Sequence, residues 1–275
     1  MDHKLKNLLI DAPALMGIVN VTPDSFSDGG MFISTDKAIA HGMAQAGQGA
    51  KILDIGGEST RPGAQAVDVE EELRRVIPVI EGLKKSGALL SVDTRNARTM
   101  EAALAAGADI INDISALMHN PKSIDIIAQS GAPVCLMHMQ GQPQTMQSAP
   151  HYDDVLVEVL RFFEQRLDIC AKAGIKTEQI ILDPGIGFGK TVEHNLTLIK
   201  NLKELKRFNL PVLLGVSRKR FIAAISNNEE ASDRLPGSIA AALWGIENGA
   251  DILRIHDVSE TAQAIKTYQA INTAR

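Results

Sequence analysis

Short apolar runs alternate with longer amphipathic segments from one end of the chain to the other, and this alternation leaves few folds open. The runs lie at 14–20, 51–54, 89–93, 110–113, 133–137, 180–183, 211–215 and 251–255. Each is too short for an ordinary helix and suits a strand buried on both faces. Helical periodicity covers 36–48, 69–85, 96–106, 121–129, 153–173, 192–206, 236–248 and 259–270. Glycine stands where most of these segments end, at Gly49, Gly87, Gly107, Gly131, Gly174 and Gly249, as left-handed C-caps require. Strict alternation of strands and helices implies a parallel sheet with right-handed crossovers. Eight such units in 275 residues predict an α/β fold, a closed (β/α)8 TIM barrel filling residues 1–275 as a single domain. An open doubly wound sheet is the alternative. It would gather its functional residues at one switch point, whereas here polar residues follow nearly every run.

Those residues are the second constraint. The runs lead to Asn20; to Asp54, then Glu58, Thr60 and Arg61; to Asp93; to Asn112 and Asp113; and to Met137-His138-Met139. The later ones lead to Asp183 and the stretch Pro184-Gly185-Ile186-Gly187-Phe188-Gly189-Lys190, to Ser217-Arg218-Lys219-Arg220, and to Arg254 and His256. In a barrel all of these converge on the C-terminal mouth. Asp113, Asp257 and Ser259 read as turn and cap residues. Asp93, Asn112, Asp183 and Lys219 do not, because polar groups buried together at one rim need a ligand, water or each other. A carboxylate such as Asp183 can accept two parallel N–H bonds from an amidine-like edge of a heterocycle. Asn112 can donate and accept at the next edge, and Lys219 can donate to a ring carbonyl or imine nitrogen. Asn20, Arg254 and His256 fall on neighbouring first and last strands once the barrel closes, beside a helix start suited to phosphate. The remaining histidines, His3, His41, His119, His138, His151 and His194, read as ordinary packed or surface residues. The Gly185–Gly189 stretch with Lys190 lacks the Ser/Thr spacing and strand context of a phosphate loop.

Composition removes several classes of function. The net charge is -5 and the sequence pI about 5.8, so no basic field draws the chain to nucleic acid or anionic lipid. An anionic substrate must be met by local cations. No apolar stretch approaches the ~20 residues that span a bilayer, and residues 1–11 carry both signs of charge without a signal-peptide core. A cytoplasmic protein is expected. Cys135 and Cys170, the only two cysteines, read as reduced, packed thiols.

Two segments carry a resemblance. Met16-Gly17-Ile18-Val19-Asn20-Val21-Thr22-Pro23-Asp24-Ser25-Phe26-Ser27-Asp28-Gly29-Gly30 is similar to the first signature of the dihydropteroate synthases. Leu53-Asp54-Ile55-Gly56-Gly57-Glu58-Ser59-Thr60-Arg61-Pro62-Gly63 resembles the second, in the expected order. The resemblance implies an enzyme of folate biosynthesis that joins 6-hydroxymethyl-7,8-dihydropterin diphosphate to 4-aminobenzoate, releasing diphosphate and 7,8-dihydropteroate. By the same resemblance Asp93, Asn112, Asp183 and Lys219 line the pterin pocket. Arg254 packs on the pterin face, and Met137 and Phe188 are its walls. Asn20, the one metal ligand assigned, binds Mg2+, and Thr60, Arg254 and His256 hold the diphosphate with it. Phe26, Asp28, Thr60, Arg61, Pro62, Phe188, Lys219 and Arg220 complete the 4-aminobenzoate site, which sulfonamides should enter. Many members carry serine after the lysine, so Arg220 is expected to act through its backbone N–H. Asn20, Asp93, Lys219, Arg254 and His256 form the catalytic set. A homodimer is implied, through the last two of the eight helices.

The residues also bear on the chemistry. Neither cysteine fits a nucleophile, and Ser217 has no recognisable base in the sequence, so covalent catalysis is disfavoured. With the electron-rich dihydropterin that the resemblance implies, a dissociative substitution is the working hypothesis, with Asp93 and Asp183 near a developing cation. The alternatives are a pterin-binding methyltransferase domain of the same superfamily and a non-catalytic paralogue. The former would not need the diphosphate groups or the long Ser/Asp loop; the latter would have lost Asn20, Asp93, Lys219 or His256, all of which are present.

Overall fold

The computed structural model describes residues 9, 13–21, 31–58, 67–142 and 145–274. Its strands are β1 (Ala14–Asn20), β2 (Ile52–Gly56), β3 (Leu89–Asp93), β4 (Ile110–Asp113), β5 (Val134–Met137), β6 (Ile180–Asp183), β7 (Leu213–Leu214) and β8 (Ile252–Ile255). All pair in parallel in the order β6-β5-β4-β3-β2-β1-β8-β7. A parallel bridge between Leu182 and Val212 joins the two outer strands, with Leu182 N donating to Pro211 O at 2.9 Å. The eight strands thus form a nearly closed barrel.

The helices are α1 (Met31–Gly47), α2 (Val69–Leu83), α3 (Ala97–Ala106), α4 (Lys122–Ser130), α5 (Val155–Lys172), α6 (Val192–Lys200), α7 (Arg220–Ala224), α8 (Leu235–Glu247) and α9 (Val258–Thr273). Local chemistry sets their ends. Asp68 caps α2 by accepting from Glu71 N at 2.9 Å, and three glutamates follow in the first turn where the dipole favours them. Gly107 and Gly131 close α3 and α4 in the left-handed conformation, at φ 109° and 70°.

Two expectations need correction. The single helix at 192–206 is α6 followed by a 3-10 helix, Leu202–Phe208; Asn201 sits at the break and its side chain bonds back to Thr197 O at 2.9 Å. The five-residue α7 was not anticipated, because one turn carries no periodicity to read.

Strand alternation sorts the side chains. Ala14, Met16, Ile52, Ile110, Cys135, Ile181, Leu213 and Ile252 form a closed apolar cluster inside the barrel. Leu15, Leu53, Ile55, Leu90, Val92 and Ile111 belong to the larger core shared with the helices. Two residues further along β2, β4, β6 and β8 the inward position becomes polar, at Asp54, Asn112, Asp183 and Arg254. Cys135 and Cys170 are free and buried. No helix among the described residues is long and apolar enough to cross a membrane.

Candidate active site

The polar layer above the apolar plug is held by Asp54. Register places Asp54 beside Ile18 and Ser91, and Asp93 beside Asn112. Asp54 is fully buried. It accepts from Ser91 Oγ at 2.6 Å, from Asn112 Nδ2 at 3.0 Å and from Arg254 Nε at 2.6 Å. The same guanidinium reaches Asp93 Oδ2 through Nη2 at 2.8 Å. Four strands are therefore tied by one ionic network, and Arg254 is fixed at two points. Burial pushes the Asp93 carboxyl up, to about 7; Arg254 opposes this and the Asp54 charge adds to it. Sequence reasoning left Asp54 out of the site because it ended the second strand there. The strand runs on to Gly56, so Asp54 is an inward position between two outward apolar residues, which the Leu53-Asp54-Ile55 alternation does encode.

Opposite this network lies Asp183, at the end of β6. Its Oδ1 accepts from Gly185 N at 2.7 Å. Burial raises its pKa, against the pull of Gly185 N–H, Lys219, Arg254 and Lys190. The Lys219 ammonium stands 4.3 Å from the centroid of the Phe188 ring, and burial pushes it down to about 8, with Asp183 opposing. Between the two groups opens a small cavity. Ile18, Asp93, Asn112, Asp183, Lys219 and Arg254 line it. Met137 and Phe188 form one wall with Ile114 and Met146. Apolar walls with a few convergent polar groups are the chemistry of a small-molecule site.

The last two loops are joined to each other. Ser217 Oγ lies 3.0 Å from His256 Nδ1 and accepts from His256 N at 3.2 Å. This corrects the expectation that Ser217 stands apart from a base: the two are distant in sequence, and only the closing of β7 onto β8 brings them together. The hydroxyl thus engages both the backbone and the ring of His256 and fixes the orientation of the imidazole, with Nδ1 turned to Ser217. Arg218 adopts a left-handed φ of 57°, a strained choice for a residue with a Cβ. It is compensated on every side. Arg218 N donates to Ser238 Oγ at 2.8 Å, Arg218 O accepts from Arg234 Nη1 at 3.1 Å, and the guanidinium pairs with both Asp257 oxygens. Asp257 is structural, as its turn reading implied, and so is Asp113, which caps Ser115 and Leu117.

The sequence-predicted residues Asn20, Asp93, Asn112, Met137, Asp183, Phe188, Lys219, Arg254 and His256 all lie at one end of the barrel, eight of them lining the cavity. Asn20 ends β1, and its Oδ1 would lie 3.8 Å from a Cβ built on Gly56, with Asp93 Oδ2 at 3.9 Å. Arg220 opens α7 with Lys219 as its N-cap. Phe26, Asp28, Thr60, Arg61 and Pro62 lie outside the described residues. The sequence reading put Asp54 and Ser217 at the mouth without a role in the site, and it did not single out Ile114, which lines the cavity, or Met146, which packs beside it. The two apolar ones carry no signal beyond an apolar side chain in a loop.

A family profile described as pterin binding enzyme matches residues 16–256. The dihydropteroate synthase of Escherichia coli (strain K12) is 48% identical over 270 residues, covering 98% of this chain and 95% of that protein. The dihydropteroate synthase of Xanthomonas albilineans, solved with 4-aminobenzoic acid, superposes with a TM-score of 0.91 at 49% identity, covering 97% of this chain and 95% of its own. That of Yersinia pestis, solved as a sulfonamide drug complex, does so at 0.90 and 45% identity, covering 96% of each chain. The match spans the barrel and every strand end that builds the cavity, and the chain belongs to the dihydropteroate synthases of the pterin-binding enzyme family.

Proposed function

We propose that this chain joins 6-hydroxymethyl-7,8-dihydropterin diphosphate to 4-aminobenzoate, and that the cavity beneath Lys219 takes the pterin. The observation that carries this reading is Asp183. One of its oxygens is occupied by Gly185 N–H, and the buried carboxylate lines a cavity walled by Phe188 and Met137. That combination receives the N–H edge of a flat heterocycle between apolar surfaces, with Lys219 and Asn112 at the remaining edges. Held as it is by Asp54 and Asp93, the Arg254 guanidinium presents a fixed plane to the ring.

In the proposed reaction the bond between the pterin methylene carbon and the diphosphate oxygen breaks, and its electron pair leaves with the diphosphate. The electron-rich dihydropterin ring carries the resulting cation, and Asp93 and Asp183 sit where negative charge favours it. The 4-aminobenzoate nitrogen then attacks the methylene and loses a proton. His256 donates from Nε2 to the departing diphosphate, because Ser217 holds the other ring nitrogen. Asn20 fits a magnesium ion of the kind that uses one or two protein oxygens and completes its shell with phosphate and water. Among the described residues no cluster of three His, Cys, Asp or Glu side chains forms a metal cage, and Asn20 beside Asp93 is the donor available at the mouth. When bound, the ion supplies positive charge to the diphosphate. The 4-aminobenzoate site is assigned to Phe188, Lys219 and the backbone of Arg220 with the loops bearing Phe26, Asp28, Thr60, Arg61 and Pro62. Sulfonamides are expected to compete there.

Diphosphate release tests the reading. With both substrates present, release should be matched by formation of 7,8-dihydropteroate; release without that product would contradict the reading. His256→Ala should lower turnover far more than it weakens a pterin lacking phosphates. Ser217→Ala should lower turnover by about tenfold, the loss of one hydrogen bond that fixes the imidazole, with pterin affinity unchanged. Equal losses in turnover and pterin binding would make both residues supports of the pocket wall.

The same reading includes a homodimer. An apolar groove between α8 and α9 is lined by Leu235, Ile239, Leu243, Ala264, Tyr268 and Ile271, and Trp244 and Ile271 on these helices are 52% and 69% exposed. An exposed apolar groove, which Ile271 lines, with exposed Trp244 on one of the two helices that form it, supports an interface between two chains. Light scattering should give twice the 29.6 kDa chain mass, and Leu243→Glu with Ile271→Glu should return it to one chain. A parent protein of single-chain mass would contradict the dimer.

A further inference from the structure

Lys190, which ends the glycine-rich stretch, has no place in the proposed chemistry, yet it is one of the most buried lysines among the described residues, only 3% exposed. Its ammonium points back into its own loop. Nζ donates to Gly185 O at 2.9 Å, to Phe188 O at 3.0 Å and to His138 O at 3.2 Å, and lies 2.9 Å from His138 Nδ1. Burial and the Lys190 charge push the His138 imidazole down to about 3, so the ring is neutral and Nδ1 is an acceptor. Three N–H groups thus meet three carbonyls and a ring nitrogen drawn from two loops, those after β5 and β6.

The two loops lie flush. A Cβ at Gly185 would fall 1.9 Å from His138 O, and one at Gly189 2.2 Å from Gln140 O. The outer carbonyls are also bound: Gly189 O accepts from Tyr152 Oη at 2.8 Å, and Gly187 O from Gln147 Nε2. The inner edge of the same loop builds the cavity. Gly185 N–H holds Asp183, Ile186 lines the pocket, and the Phe188 ring lies beneath Lys219. The long Lys190 side chain reaches and pairs the carbonyls on the buried side; burial pushes its ammonium down to about 7, with Asp183 opposing. An apolar side chain there would leave them unpaired, and the loop would move to find other donors.

We propose that Lys190 is a positioning residue for pterin binding, its ammonium fixing the course of residues 185–188 and through them Asp183 and Phe188. The proposal rests on the pterin reading of the cavity. Lys190→Met keeps the length of the side chain and removes the donors. In calorimetric titrations with 6-hydroxymethylpterin it should bind about tenfold or more weakly than the parent. The KM for the pterin diphosphate should rise by a similar factor, while kcat at saturation stays within about threefold. Because Lys190 acts through Phe188, Lys190→Met combined with Phe188→Ala should cost less than the product of the two single losses. A folded Lys190→Met protein that binds the pterin within twofold of the parent, or losses that multiply, would overturn the proposal. Should that variant show no cooperative thermal transition, Lys190→Gln, one atom shorter and with two N–H donors for the four acceptors, takes its place, and pterin binding within twofold of the parent overturns the proposal in the same way. A parent that fails to bind the pterin would instead remove the reading of the cavity itself.

Discussion

Asp54→Ala should be the most damaging single substitution in the barrel, even though Asp54 touches no proposed substrate. Its carboxylate is the common acceptor for Ser91, Asn112 and Arg254 and is fully buried. Removing it leaves three donors without their acceptor, one of them a guanidinium that keeps only Asp93. Breaking a buried pair from one side costs roughly 3–5 kcal/mol, because the surviving charge stays buried. For a chain of this size that is a fall in melting temperature on the order of 10 °C. Turnover should fall with it, since Arg254 loses one of its two anchors and Asn112 loses the bond that aims its amide. Asp54→Asn should be milder in stability, because the amide still accepts from one donor. Thermal unfolding followed by circular dichroism decides the matter: a melting point within 2 °C of the parent for Asp54→Ala would mean that water or a shifted side chain replaces the carboxylate at little cost.

Asp183→Asn should abolish most of the pterin affinity while leaving the fold intact. The amide keeps one acceptor for Gly185 N–H and turns the other position into a donor. A ligand N–H that met a carboxylate then meets an N–H. A buried, charge-assisted loss of this kind costs on the order of 2–3 kcal/mol, or up to about a hundredfold in affinity. Diphosphate binding, which is assigned to Asn20, Arg254 and His256 on the far side of the mouth, should change little. Calorimetry with a simple pterin and with diphosphate measures the two separately, and unchanged pterin affinity would take Asp183 out of recognition.

Much of this architecture was legible in the order of residues. Apolar runs and amphipathic segments alternate because a parallel barrel needs strands buried on both sides and helices buried on one. Gly107 and Gly131 mark helix ends because they take φ values that other residues avoid. Polar residues at strand ends converge because parallel strands all end at the same mouth. What escaped was of two kinds. Asp54 was hidden by a boundary, two residues of strand that continue to Gly56. The bond from Ser217 to His256, the grip of Lys190 on His138 and the clasp of Arg218 on Asp257 depend on loops of neighbouring strands meeting at the mouth. No local periodicity records which loop faces which. The short α7 escaped because a single turn has no repeat.

Arg254 illustrates the gap between position and role. Its place near the last strand's end was legible, and so was its planar side chain. That Asp54 and Asp93 hold it at two points was not, and this is what makes it a rigid surface for a ring to lie on. The central claim is therefore geometric: a pteridine lies in the cavity with its amino edge on Asp183 and its face toward Arg254. Crystallography of the protein with 7,8-dihydropteroate bound tests that claim most directly. The account predicts the pteridine between Phe188 and Arg254, its N–H edge on the Asp183 carboxylate, and its benzoate leading out past Lys219 and the start of α7. A pteridine seated elsewhere, or one that turns its N–H edge away from Asp183, would contradict it.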